Sequence, residues 1–194
     1  MKNNRFGQSA IITTDDYIKL RRFQRNQKHK LILDIAWFTG ERWGAIIQLL
    51  KNDCYHTNGA IKDVITFRSN TRKASPDGKR QTRQVPVHAT LKEHLSAYST
   101  SVISEWMFPR NNHPSEHVGL RTADYFFRDA IERAGLGNRG ISTHSTRRTM
   151  ITRLYNNGVD LMTIKQITGH RDVKSLMRYI EHDEQRTIGA IQAL

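Results

Sequence analysis

The chain has 194 residues, of which 37% are apolar and 25% charged, the balance of a globular protein rather than of a disordered one. No apolar run reaches the length of about 18 residues that spans a bilayer, residues 1–17 lack the apolar stretch of a secretory signal, and the single cysteine, Cys54, excludes a disulfide framework and fits a reducing cytosol. Against 18 Asp and Glu stand 31 Lys and Arg, a net charge of +13, which calls for a polyanionic partner, nucleic acid ahead of an anionic membrane surface.

Residues 12–26 read as a helix with Thr14 or Asp15 at its cap, ahead of Ile18 and Phe23. Residues 29–40 read as a second, largely buried helix that stops at Gly40. The stretch 41–53 reads as a third, with Trp43, Ile46, Ile47 and Leu50 forming a core-facing stripe. The pattern then changes. Residues 64–69 and 83–88 are short and β-branched, and they flank a tip with Pro76-Asp77-Gly78, so a β-hairpin is expected. Between Arg68 and Arg83 lie Arg72, Lys73, Lys79 and Arg80, opposed by one acid, Asp77. These six basic residues make either a solvated loop or a basic finger along a phosphate backbone.

Further helices follow. Leu91, Leu95 and Tyr98 share one face over 89–98, and "EWMFP" is a short extended link. Phe126, Phe127, Ala130 and Ile131 stripe a helix from a Thr122 cap to Gly135. The segments "THSTRRTMITRLYNNG" (143–158) and "DLMTIKQITGH" (160–170) are the next two, the second with Asp160 as its cap and Gly169 as its stop. The fold class is mostly α with a small antiparallel β-sheet, α+β, in one domain.

On the first of those two helices His144, Arg147, Ile151 and Leu154 follow helical spacing and share a face, so His144 and Arg147 extend the apolar stripe. A guanidinium buried there needs an anion. No acid lies between Glu132 and Asp160, so the anion is a carboxylate from a distant segment or a phosphate at the helix N-terminus. Metal is disfavoured, because His144 and His170 lack a third ligand at ligand spacing and arginines repel a cation. Ser145 lacks a nucleophile elbow.

The ordered set Arg42, Lys73, His144, Arg147, Gly169-His170 and Tyr179 resembles the catalytic domain of the tyrosine recombinases, the phage integrase family. The resemblance runs from about Ile12 to His182 and is strongest over "THSTRRTMITRLYNNGVDLMTIKQITGHRDVKSLMRY". It implies site-specific DNA cleavage and rejoining through a 3′-phosphotyrosyl intermediate on Tyr179. Arg42 and Arg147 would grip the scissile phosphate, His144 would be base or phosphate ligand, and His170 would donate to the phosphate. Lys73 would be general acid, with Lys79 the alternative. Arg68, Arg72, Lys79, Arg80, Arg83 and Arg148 are the expected DNA contacts. Neither metal nor cofactor is required.

The partners implied are double-stranded DNA, a homo-tetramer on synapsed sites and accessory DNA-bending proteins, with no membrane and a cytoplasmic, nucleoid-associated location. The same chemistry would also serve a type IB topoisomerase, and a non-catalytic DNA-binding relative is the other alternative. Two departures stand out. Position 45, where the family has an acid three residues after the first arginine, is Ala45, and Arg148 replaces a common histidine about 100° round the helix from Arg147. The expected organisation is an extension over 1–11, a catalytic domain over 12–182, and a tail over 183–194 that docks on a neighbouring protomer. Most members carry a helical domain ahead of the catalytic one, so this chain is either a part of such a protein or one of the short members, which the fimbrial phase-variation invertases exemplify.

Overall fold

Thr13 opens the first helix, α1 (Thr14–Arg22). Its hydroxyl accepts from the Asp16 N–H while the Asp16 carboxylate accepts from the Thr13 N–H, both at 3.1 Å, so two donors that a helix start leaves bare are satisfied. The structure, a computed structural model, describes residues 8–72, 78, 80–99, 103–170, 172–177, 179 and 192. Lys73 and Lys79, most of the hairpin tip and the tail over 183–194 apart from residue 192 lie outside the described residues.

The chain divides into two compact units, Met1–Met150 and Ile151–Leu194. In the first, α2 (Gln27–Thr39) is capped by Asn26, whose side chain accepts from the His29 N–H at 2.9 Å. Its Leu31, Ile32, Leu33, Ile35 and Ala36 are fully buried, which makes it the central element of this unit's core. It stops at Gly40, in the left-handed region with φ 59. A side chain at Gly40 is excluded twice over, since an added Cβ would run into the Met150 sulfur.

The third helix is far shorter than its apolar stripe predicts: α3 (Trp43–Ile46) is a single turn. Gly44 weakens it, and the backbone beyond Ile47 is used elsewhere. The Leu49 carbonyl accepts from Met107 N–H at 2.9 Å, Leu50 bridges antiparallel to Trp106, and the Asp53 carboxylate accepts the Leu50 N–H at 2.8 Å. Trp43, Ile46 and Ile47 are core residues all the same.

β1 (Val64–Phe67) pairs antiparallel with β2 (Arg83–Pro86), Phe67 opposite Arg83, and Ile65, Phe67 and Val85 alternate into the core. α4 (Ala89–Ser96) adds Leu91 and Leu95 to it. A second, unexpected hairpin joins β3 (Pro109–Arg110) to β4 (His113–His117), turning at Asn112, which takes a φ of 65 that asparagine tolerates. α5 (Leu120–Arg133) buries Phe126, Phe127, Ala130 and Ile131 on the face their spacing predicts. It starts at Leu120, ahead of the expected Thr122 cap.

α6 (Thr143–Asn156) contains the division between the units. The second unit continues with α7 (Leu161–Thr168) and α8 (Val173–Met177). Among its described residues the buried apolar ones are Ile151, Ile164 and Leu176, with Leu154, Tyr155, Val159, Leu161 and Tyr179 packed against them. Asp160 caps α7 by accepting from the Met162 and Thr163 N–H groups, each at 2.9 Å, and Gly169 ends it in the left-handed region.

Candidate functional site

The break between α2 and α3 organises the first unit's cleft. Because Gly40 turns the chain sharply, Glu41 is directed inward (1% exposed) and Arg42 becomes the residue before α3, half-buried. The two Glu41 oxygens divide their partners. Oε2 takes Arg83 Nη1 at 2.7 Å and Arg72 Nε at 3.3 Å, the latter an ion pair whose angle falls short of a hydrogen bond. Oε1 accepts the Arg42 N–H at 2.9 Å and lies 4.0 Å from Arg147 Nη1. Burial pushes the Glu41 carboxyl up, but Arg83, Arg72 and Arg147 outweigh it and hold the group below the ordinary glutamate value.

Glu41 is the residue that sequence reasoning missed. A lone acid at a helix start reads as solvated, and its partners lie far away in the chain. The signal available was the pairing of an acid at position 41 with the absence of one at Ala45.

Beside this cluster lies a cleft of about 410 Å³, lined by residues that include Arg42, Trp43, Arg72, Arg80, His144 and Arg147. Four guanidinium groups face it against the single Glu41 carboxylate. Arg147 is buried and donates from Nη1 to the Gly40 carbonyl at 2.9 Å. Among the described residues nothing takes a hydrogen bond or ion pair from the Arg42 guanidinium. His144 lines the cleft but is exposed, whereas helical spacing places it with Arg147 on the inward stripe.

The other arginines read as DNA contacts divide sharply. Arg83 is buried, with Nη2 donating to the Thr39 carbonyl at 2.8 Å besides its Glu41 pair, so it anchors the hairpin root instead of facing solvent. Arg148 is buried as well, bonded to the Gln8 side-chain carbonyl, because residues 8–12 cover the flank of α6 that it occupies. Arg68 reaches Asp53 at 3.1 Å and the Gln48 carbonyl, and Arg72 adds the Gln81 carbonyl at 2.7 Å to its ion pair. Arg80 is exposed and spans the hairpin to the Asn70 carbonyl at 3.1 Å.

The second unit carries His170 and Tyr179. Gly169 turns the chain so that His170 follows α7 directly, and its Nδ1 lies 2.6 Å from Thr168 Oγ1. The His170 and Tyr179 rings are 5.6 Å apart between centroids. The Tyr179 backbone is held at both ends, its carbonyl by Thr152 Oγ1 at 3.0 Å and its N–H by the Leu176 carbonyl at 2.9 Å. Its hydroxyl has no hydrogen-bond partner among the described residues.

The family model for the phage integrase family matches residues 10–186. The chain belongs to the phage integrase family. Its relatives include the tyrosine recombinase XerD of Brucella suis biovar 1, 28% identical over 161 residues, which cover 76% of this chain and 52% of that protein. Among solved structures the XerA recombinase superposes with a TM-score of 0.74 at 20% identity, covering 96% of this chain and 65% of that one. The XerH site-specific recombinase, in a pre-cleavage complex with its difH substrate, superposes with a TM-score of 0.66 at 19% identity over 94% of this chain and 53% of that one. These likenesses show the fold of this integrase-family chain, which spans about half the length of the XerD protein it matches.

Proposed function

We propose that this chain carries out the strand-cleaving and rejoining chemistry of a site-specific DNA recombinase, with double-stranded DNA as substrate. The observation that carries the reading is the cleft in which Arg42, its guanidinium without a protein partner among the described residues, and Arg147 line the same space under a cationic excess. Such a space suits an anion, and two guanidiniums match the non-bridging oxygens of a phosphodiester. Family membership supports a DNA phosphate as that anion.

In the step proposed, the Tyr179 oxygen attacks phosphorus and the bond to the 5′ oxygen breaks, leaving a 3′-phosphotyrosyl link that keeps the phosphodiester energy. A free phenol holds its proton up to a pKa of about 10, so cleavage at neutral pH needs a base, the role given to His144. Arg42 and Arg147 neutralise charge that grows on the phosphoryl oxygens, and His170 donates a hydrogen bond to them. The departing 5′ oxygen takes a proton from Lys73 or Lys79. Rejoining reverses each transfer. The assembly proposed is a homo-tetramer on two synapsed duplexes at the nucleoid, with DNA-bending proteins as accessory partners.

A nicked suicide duplex, which loses its 5′ fragment after cleavage, tests the chemistry. A covalent protein–DNA adduct should form with the unsubstituted chain and fall by about three orders of magnitude or more in Tyr179→Phe. An adduct that survives that substitution removes Tyr179 from the role. Relaxation of supercoiled plasmid without a recognition site would instead assign topoisomerase activity.

A further inference from the structure

The Glu41 carboxylate brings together groups that the chain leaves far apart. A carboxylate offers about four acceptor sites; here two take hydrogen bonds, from the Arg42 N–H and Arg83, and Arg72 and Arg147 pair with it by charge at 3.3 and 4.0 Å. On the Oε1 side are the Arg42 N–H and Arg147, both at the cleft; on the Oε2 side are Arg83 and Arg72, both from the hairpin. No other acid lines the cleft among the described residues, and Ala45, three residues beyond Arg42, has no polar group to contribute.

We propose that Glu41 is a positioning residue for strand cleavage, tying the hairpin root to the arginine pair that grips the scissile phosphate. The inference rests on the recombinase reading above. Its chemical basis is the symmetry of the carboxylate. A glutamine of the same shape keeps one acceptor oxygen and turns an N–H₂ group toward guanidinium donors, so it serves either the cleft or the hairpin. The arginines stay in the cleft in that variant, with one more net positive charge; Arg147 keeps its bond to the Gly40 carbonyl but loses the carboxylate charge 4.0 Å from Nη1 that helps to hold it.

The role therefore separates binding from chemistry. In Glu41→Gln the affinity for the duplex, measured under single-turnover conditions, should hold or rise, while cleavage of bound duplex slows by roughly 10- to 100-fold, the scale of losing the outer partner of a ligand-holding residue. A second readout cancels any loss of folded protein: within one sample, the rate on a phosphodiester is divided by the rate on a duplex with a methylphosphonate at the scissile position. That linkage is uncharged, so Arg147 has less charge to neutralise, and the gap between Glu41→Gln and the unsubstituted chain should close toward unity. Should Glu41→Gln fail to fold, Glu41→Asp, with its charge kept on a shorter arm, is measured in the same ratio and should show the same narrowing.

Equal cleavage rates for variant and unsubstituted chain overturn the proposal. So does a gap that is the same on both linkages with affinity lost in parallel, which is the mark of a merely structural acid. If the unsubstituted chain forms no adduct at all, the recombinase reading itself falls, a result distinct from either.

Discussion

The two units hold their functional side chains in opposite ways. In the first, a broad core of α2, α3, α4, α5 and β1 surrounds a buried ionic cluster, and Glu41 fixes Arg83, Arg72 and Arg147 where the low dielectric makes each pairing strong and each vacancy costly. In the second, Ile151, Ile164 and Leu176 are the buried apolar residues among those described; the Tyr179 backbone is bonded to Thr152 and Leu176, and His170 contacts Thr168 and the Lys165 carbonyl. The arginine cluster is set in a framework with many mutual constraints, whereas the described residues around the proposed nucleophile form a smaller apolar cluster. A phosphate site gains from donors that need no rearrangement; a small apolar cluster gives its region a lower opening free energy than a large one does.

The largest effect that tests this contrast is on the ionic cluster. Glu41→Ala should destabilise the first unit by about 3–5 kcal/mol, because it leaves buried guanidinium charge uncompensated; differential scanning calorimetry with a shift below about 1 kcal/mol would make the cluster peripheral. Its pH dependence has a fixed sign. The folded carboxyl lies below its unfolded value of about 4.5, so its contribution is whole above that pH and is lost as pH falls through the lower folded value. The stability gap between the unsubstituted chain and Glu41→Gln should therefore narrow in acid.

Next in size is Leu176→Ala, worth about 2–5 kcal/mol as a buried large-to-small change. The loss should appear as faster hydrogen exchange in α7 and α8 with α2 amides unchanged. If α2 exchange rises equally, the two units open as one and the contrast fails. The smallest effect separates two arginines of the hairpin. Arg80→Ala, at an exposed cleft position, should lower the slope of log binding constant against log salt by about one without moving the melting temperature, as expected for one phosphate contact. Arg83→Ala should instead lower the melting temperature and leave that slope unchanged; the reverse pattern would exchange their roles.

Much of the fold was legible in the residues because it is local. Asp160 and Gly169 bound α7, Gly40 ends α2, the stripe of Phe126, Phe127, Ala130 and Ile131 faces inward, and β1 and β2 fall where β-branched residues flank a turn. Each depends on caps, periodicity or turn chemistry within a few positions. The short α3 and the second hairpin were not legible, because Leu49 and Leu50 give their backbone to residues 105–107, a pairing that no local propensity encodes.

The candidate site divides along the same line. Sequence by itself determined which chemical groups are present and in what order, enough to place the chain with the phage integrases through Arg42, His144, Arg147, His170 and Tyr179. It could not tell Arg42, whose guanidinium has no partner among the described residues, from Arg83 and Arg148, which are spent inside the protein. Only the tertiary structure decided that, since burial and pairing arise between segments such as Glu41 and Arg83 that are 42 residues apart. A buried guanidinium must be matched in place, and a linear pattern of charges carries no record of which acid does the matching.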